Sequence, residues 1–554
     1  MRLRDEPYNP TSVINDQDGN PLYEEDKIRQ RWEDYFRELL NPVEGNTSQA
    51  QFSPRYPEHT EPNVLEEEVR RALKLSPRNK AAGVDGIPTE AIIACGETGV
   101  KWLTKIFQKA WEEQCVPEDW RKSIVVPIWK KKGNKKDCST YRGISLISHT
   151  GKIFAKILEQ RTRSIVDPLL SEAQFGFRKG RGCTDAIFAL RQLCEKTCEY
   201  QKHLHLVFVD QEKAFDRVNR NKLWEILEQY GVKGQLLENI RALYSNSQSA
   251  VQTPNGLSRW FQVRSGVRQG CVLSPLLFIV YMDKITKEAN PDPTSLNELL
   301  FADDQSILND SKEGLQHHTD SLDRACGSHD MKISIGKTEA MSVGRRPEKL
   351  EISINGQLLK QTSEFKYLGS IFTEDGKMDR EIETRIQKAN SVSYQLAPLL
   401  KHPSIPMDTK AKLINTVFIP TLTYQCQTWT LNKAQERKIT SCEMRCLRRA
   451  AGKTRRDRVR NEAIRQLVGN KPVLQFIAKQ RVQWFGHLTR MPTTQPALRA
   501  YTARHSGVRA RGRPRRRWRD GVAETLGAHG MTLQEATHLA AERRLHLPAT
   551  PPQA

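Results

Sequence analysis

The sequence predicts an α+β protein that ends in a helical, basic region, and three observations carry that expectation. Residues 204–210 and 299–308 are short apolar runs rich in strand formers, the second interrupted by Ala302-Asp303-Asp304, as in antiparallel strands joined by a tight turn. Stretches such as 65–75, 151–163 and 314–330 repeat apolar residues at helical spacing. From Lys453 to Arg519 there are nineteen Lys or Arg against two acids, the balance of a surface that meets a polyanion.

Taken in order, residues 1–60 are polar apart from one helical pattern, with Ile28, Trp32, Tyr35, Phe36 and Leu39 on one face. A helix flanked by such sequence reads as a connector. Residues 124–128 form a strand, followed by a basic loop, Lys130-Lys131-Lys132-Gly133-Asn134-Lys135-Lys136; taken alone, such a charge run is a solvated loop. Residues 174–181 gather Gly and Arg into a loop where backbone can approach a partner closely. After the Asp303 turn and the 314–330 helix, residues 331–335 alternate as a strand. Residues 376–450 are helical, with Ile382, Ile386, Leu413, Ile414 and Val417 inward. The basic stretch beyond them interleaves Trp484, Phe485 and Trp518 with its cations, and the last thirty residues hold a short helix and a Pro-ending tail.

Composition narrows the classes. A chain of 554 residues accommodates several domains and a substantial core. The net charge of +22 suits a nucleic-acid partner, although a ribosomal or chromatin protein would share it. No run of eighteen apolar residues is present, so no membrane-spanning helix is expected, and the first residues lack the apolar core of a secretory signal. Eleven cysteines at irregular spacing indicate reduced thiols inside the cell. Cys194/Cys198 and Cys442/Cys446 lie at i, i+4, the spacing of thiols on a helix, with no second close pair to complete a zinc site.

The chemistry concentrates in carboxylates. Asp-Asp in a turn is ordinary polar turn chemistry on its own. Asp210, however, ends the apolar run 204–209. If the two runs share a sheet, Asp210, Asp303 and Asp304 meet at one edge. Three such anions repel one another unless hard divalent ions sit between them, and two ions about 4 Å apart make a clamp for displacement at phosphorus.

The blocks around these residues resemble the reverse transcriptase of non-LTR, LINE-type retrotransposons, of the kind that carries an apurinic-type endonuclease ahead of the polymerase. They run in family order: residues 80–88, Tyr141-Arg142-Gly143-Ile144-Ser145-Leu146, Gln174-Phe175-Gly176-Phe177-Arg178, the Asp210 block, residues 265–275 with Arg268-Gln269-Gly270, the Asp303 turn, Lys337-Thr338 and Tyr367-Leu368-Gly369. Each is weak alone; ordered over some 300 residues they are specific. The endonuclease itself is not expected within this chain.

The resemblance implies a right-hand polymerase: a connector over 1–60, fingers over 61–200, palm with primer grip over 201–375, thumb over 376–450 and a basic nucleic-acid-binding region over 451–554. It implies an RNA-directed DNA polymerase that takes an RNA template, a DNA primer and deoxynucleoside triphosphates. Two Mg²⁺, with Mn²⁺ as the alternative ion, would be held by Asp210, Asp303 and Asp304. Arg142, Lys130 and Lys132 would hold the triphosphate, and Gln269 and Gly270 would line the nucleotide. Phe215 would lie under the sugar and exclude a 2′-hydroxyl, although plain core is its competing reading. Lys337 would protonate the departing pyrophosphate; His329-Asp330-Met331 and Ser334 depart from the family pattern beside it. Tyr367, Leu368 and Gly369 would grip the primer. Arg178 would contact template, and Arg513, Arg515, Arg516, Arg517 and Trp518 would bind nucleic acid or serve as a nuclear address. The expected setting is the nucleus, or the cytoplasm as a ribonucleoprotein, without a membrane partner. The rival reading is an inactive remnant that only binds RNA or DNA.

Overall fold

The computed structural model describes residues 13–41, 61–290, 292, 295–504, 507, 509, 512 and 514–546. The chain forms two compact units.

The first unit comprises Met1–Ser171, Gln211–Asp292 and Ser321–Ile333. Its sheet runs in the order Tyr141–Leu146, Lys122–Trp129, Gln248–Thr253, Gly256–Leu257, with Phe261–Gln262 also on Gln248–Thr253. The first pair is antiparallel, from Ile124 opposite Leu146 to Trp129 opposite Tyr141. Helix Glu25–Leu39 buries Ile28, Trp32, Phe36 and Leu39 in one cluster with Val125, Tyr141 and Val251 of that sheet. Four large apolar side chains, each stabilising by roughly 2 kcal/mol when buried, seal the helix to the sheet, so it packs as part of this unit. Gly143 lets it approach, because a Cβ there would lie 2.6 Å from the Phe36 ring. Helix Ser274–Ala289 is buried nearly all round, as a helix apolar on every face must be, and Pro275 occupies its first turn.

The second unit comprises Glu172–Asp210, Pro293–Asp320 and Ser334–Ala554. Its sheet runs Lys360–Gln361, Glu339–Val343, Leu204–Val209, Asp304–Asn309, Glu298–Phe301. Every residue of Leu204–Val209 is buried, which is why that run is apolar on both faces except at His205 rather than alternating. Helix Cys183–Glu199 packs Ala186, Ile187 and Leu190 into the cluster that holds Leu206, Phe208, Leu308 and Met341. The strand expected over 331–335 is instead extended chain with one bridge, Gln211 to Ile333. Met331 and Ile333 are buried and Lys332 exposed, so the alternation recorded one-sided burial, not a ladder.

Helices Asp379–Gln395, Lys433–Ala450, Asn461–Val468 and Val473–Leu488 share their own apolar cluster, including Ile382, Ile414, Phe418, Trp429, Ile439 and Ile464. Val417, expected inside, is exposed, because the helix widens into a π-turn over Ile414–Phe418 just before Pro420. Trp484, Phe485 and Trp518 are buried together with Phe188 and Val522, the Phe188 ring 4.8 Å edge-on to Trp518 and 5.6 Å to Trp484. The aromatics expected to interleave with cations on a binding surface are core.

The cysteine pairs 194/198 and 442/446 are buried thiols on their helices, and none of the eleven cysteines, all among the described residues, is in a disulfide. Among the described residues no helix is long and apolar enough to cross a membrane.

Candidate active site

The hairpin Glu298–Phe301/Asp304–Asn309 pairs Asp304 with Phe301, leaving Ala302 and Asp303 as a two-residue turn. Ala302 has φ +60 and Asp303 does not share the positive φ, the pattern of a II′ turn, which usually has Gly at its first central position. An alanine there costs on the order of 1 kcal/mol, so something must hold the turn. Gln174 does: its side-chain carbonyl accepts from the Ala302 N–H (3.1 Å) and the Gly176 N–H (2.9 Å). The Phe175 N–H donates to the Leu300 carbonyl and the Leu300 N–H to the Ala173 carbonyl. A Cβ on Gly176 would lie 2.5 Å from the Ala302 nitrogen.

Register fixes the carboxylates. Gln305 lies opposite Val209 on the next strand, which sets Asp304 beside Asp210 one step further on. On the other side Glu339 lies opposite Phe208, which sets Lys337 beside Asp210, and the Lys337 Nζ is 3.2 Å from Asp210 Oδ2. The Asp210 N–H donates to Thr338 Oγ1 and its carbonyl accepts from the Ser334 N–H. Burial, then the charges of Asp303 and Asp210, push the Asp304 carboxyl up to about 6. Three distant carboxylates therefore share one end of two adjacent strands, with Lys337 as their nearby cation. Among the described residues no three carboxylates, imidazoles or thiols already converge on a point as ion ligands. The donor set nevertheless fits a hard divalent cation: all oxygen, and holding repulsion that such a charge relieves.

In the first unit the blocks 141–146, 215–218 and 265–270 come together. The Ser145 N–H donates to the Gln269 carbonyl, and the Gly266 and Val267 N–H groups to the carbonyls of Val218 and Phe215. Gly270 has φ +129, and a Cβ there would lie 2.5 Å from the Ser145 carbonyl oxygen. A cavity of about 30 Å³ opens between them, lined in part by Gly143, Ser145, Asp216, Ser249, Ser265 and Gln269. Burial raises the Asp216 carboxyl to about 6, against the pull of Lys213 and Lys130. Phe215 is half-buried and stacks on Phe278, centroids 4.3 Å apart and planes within 15°, which fixes the ring. Arg142 and Lys132 are exposed. Lys130 donates to the Ser139 carbonyl at 2.9 Å.

Leu368 and Gly369 form a two-residue turn, both at positive φ, and Tyr424 Oη donates to the Leu368 carbonyl at 2.9 Å. Tyr367 is buried in the core, so a primer would meet the turn's backbone and not that ring. Arg178 is 8% exposed and engaged inside the protein, which corrects its expected contact with template. Arg515 donates to the Asp375 carbonyl, Arg516 to the Leu431 carbonyl and Glu524, and Arg517 pairs with Asp520. The fully buried Trp518 donates from Nε1 to the Gln427 carbonyl; a ring so enclosed cannot stack on a base. Arg513 lies outside the described residues.

Sequence reasoning missed the Gln174 clamp, and it missed two buried arginines. Arg220 donates to the carbonyls of Gly266, Val263, Tyr244 and Ser265. Arg268 donates to those of Trp120, Arg121 and Leu243. Both lock the 263–268 segment, and no spacing signal announces an arginine that serves backbone oxygens.

Residues 130–372 match the family model described as reverse transcriptase (RNA-dependent DNA polymerase). The match spans less than half of this chain, and the α+β class expected from the sequence agrees with its helices and mixed sheets. Several curated relatives are named RNA-directed DNA polymerases of transposons or mobile elements. A probable RNA-directed DNA polymerase from transposon BS of Drosophila melanogaster is 26% identical over 407 residues, 69% of this chain and 44% of that protein. The RNA-directed DNA polymerase from mobile element jockey of the same organism is 25% identical, covering 70% and 44%. A Pol polyprotein from the type-1 retrotransposable element R2 of Nasonia vitripennis is 26% identical, covering 58% and 32%. The chain thus spans less than half the length of these relatives. Among solved structures, telomerase from Candida tropicalis in complex with a fragment of telomeric RNA aligns over 75% of this chain and 68% of that one, at 11% identity and a TM-score of 0.36.

Proposed function

We propose that this chain is the RNA-directed DNA polymerase of a non-LTR retrotransposon, extending a DNA primer on an RNA template with deoxynucleoside triphosphates. The observation that carries the reading is the register that sets Asp304 beside Asp210, with Asp303 in the turn between the strands. Two Mg²⁺, or Mn²⁺, held by Asp210, Asp303 and Asp304 would activate the primer 3′-hydroxyl and neutralise the triphosphate.

The protein's own groups do the positioning. The Gln174 clamp fixes the turn that carries Asp303. Lys337, 3.2 Å from Asp210, would serve as the proton donor to pyrophosphate. Phe215, held flat by Phe278, is the wall against a 2′-hydroxyl. Arg142 and Lys132 are the exposed cations for phosphate oxygens, a guanidinium bonding two at once. In this reading 61–200 are fingers, 201–375 palm with the Leu368-Gly369 turn as primer grip, 376–450 thumb and 451–554 a nucleic-acid-binding region, and the setting is the nucleus or a cytoplasmic ribonucleoprotein.

Extension of oligo(dT) on poly(rA), with and without a chelator, tests it. Asp210→Asn and Asp303→Asn are each expected to lower extension by about 10³-fold or more with hybrid binding retained. Extension at the parental rate by either variant, or extension indifferent to chelator, would overturn the metal assignment. Binding without any extension by the parent would favour a protein that only holds RNA or DNA.

A further inference from the structure

We propose that the loop between helices Lys433–Ala450 and Asn461–Val468 is a binding site for the phosphodiester backbone of nucleic acid, a role the sequence spread over the whole region 451–554 and pinned on Arg513, Arg515, Arg516, Arg517 and Trp518 rather than on this loop. The proposal deepens the polymerase reading and takes from it only the identity of the polymer.

The loop carries Lys453, Arg455, Arg456, Arg458 and Arg460, all exposed, and among the described residues none of these side chains has an ion-pair partner. The tract at 515–517 differs in kind, because its guanidinium groups are taken up by Asp375, Leu431, Glu524 and Asp520.

The loop is also built. Arg448 reaches under it and donates to the carbonyls of Thr454 (3.3 Å) and Val459 (2.7 Å) and to Asn461 Oδ1 (3.0 Å). Asp457 folds back along the loop and accepts from the Thr454 N–H (2.5 Å) and hydroxyl (2.9 Å). The local hydrogen bonds to Thr454, and then the cations Lys453 and Arg448, keep its carboxyl below the ordinary range. Arg458 sits at φ +53, and its N–H donates to the Arg455 carbonyl at 3.2 Å. The one acid within the loop thus shapes it while the cations are displayed around it.

A rigid array of cations pays little ordering entropy on binding. Val459, the loop's sole apolar residue between Lys453 and Arg460, packs inward against the helical cluster, so the surface offers charge without an apolar anchor. That is the chemistry of backbone phosphates, which are read by charge and not by sequence.

The test measures binding of the full chain to three labelled probes of equal length: an RNA–DNA hybrid, duplex DNA and single-stranded RNA, across salt. Replacing Arg455, Arg456, Arg458 and Arg460 together by Gln is expected to weaken duplex binding about tenfold or more near 0.15 M salt. The slope of log Kd against log salt should fall by roughly 2–4, at about 0.9 per lost phosphate contact. Lys at the same four positions should restore the slope, because phosphate contact needs the charge. Should the quadruple change lower the melting temperature, Arg455→Gln with Arg456→Gln serves instead, with a slope loss of about 1–2. An unchanged slope on all three probes overturns the site. A slope loss confined to single-stranded RNA, or to the duplexes, upholds it and names the polymer. Because the readout is binding, a chain that proves unable to extend a primer would sink the polymerase reading and leave this one standing.

Discussion

Gly176 shows how tightly single residues govern the catalytic turn. A methyl group there would collide with the Ala302 backbone, which cannot yield without moving Asp303. Gly176→Ala is expected to lower kcat about 100-fold, the scale of a 1 Å misplacement, with hybrid affinity near the parental value and stability lowered by about 1–3 kcal/mol through overpacking; single-turnover extension beside a thermal melt checks it. Phe215→Val removes the ring that Phe278 holds flat, and incorporation of ribonucleotides relative to deoxynucleotides should rise about tenfold or more; equal discrimination by parent and variant would return Phe215 to the core. The convergence of the three aspartates was legible only from the pair of runs together, Asp210 ending one and Asp303-Asp304 interrupting the other, since Asp-Asp in a turn is ordinary turn chemistry alone. Gln174 and Gly176 were visible as a motif, but not as the clamp on the Asp303 turn, since a glycine needed for close approach looks the same whether the approaching group belongs to a ligand or to the protein.

Among elements, helix Cys183–Glu199 has the most to organise. Its Glu195 accepts from the Trp518 N–H at 2.8 Å and the Thr430 hydroxyl at 3.0 Å, and burial pushes its carboxyl up to about 7, with Glu199 and Asp520 adding to the rise. The neighbouring Lys196 donates to the carbonyls of Tyr501 and Ala503, and burial lowers it to about 8. For Glu195 the folded carboxyl keeps its proton above the ordinary carboxylate range, so its share of stability is present at low pH and is lost as pH rises through about 7. Glu195→Gln keeps the acceptor and removes the charge. Its melting temperature should exceed the parent's at pH 8, by roughly 1–2 kcal/mol of stability, and match it near pH 4. Parallel pH profiles for parent and variant would rule out a buried, titrating Glu195. Sequence could not reveal this docking: tryptophans among arginines read equally as a stacking platform or as a core, and only the partner Phe188, some 300 residues away, decides between them.

At the scale of the molecule, charge was legible and topology was not. The excess of cations and the α+β class follow from composition and periodicity, but the strand order 360, 339, 204, 304, 298 joins residues far apart in the chain, and a hydrophobic pattern names faces, not neighbours. The same non-locality makes the basic C-terminal region part of the fold. Removing residues beyond 495 would take away Trp518, Val522 and Ala500 and uncover Phe188. Loss of one large buried ring alone costs about 3–5 kcal/mol, so the shortened chain should be insoluble or show a lowered, broadened thermal transition; a sharp transition at the parental temperature would contradict the packing described.

The left-handed alanine in the catalytic turn has one more implication. Its conformation is kept by an amide oxygen rooted in the interior rather than by anything at the surface, so the geometry that brings the anions together has no independent way to loosen. Heat would have to dissolve the β-scaffold before it could spoil the site, and inactivation and melting would then be a single event.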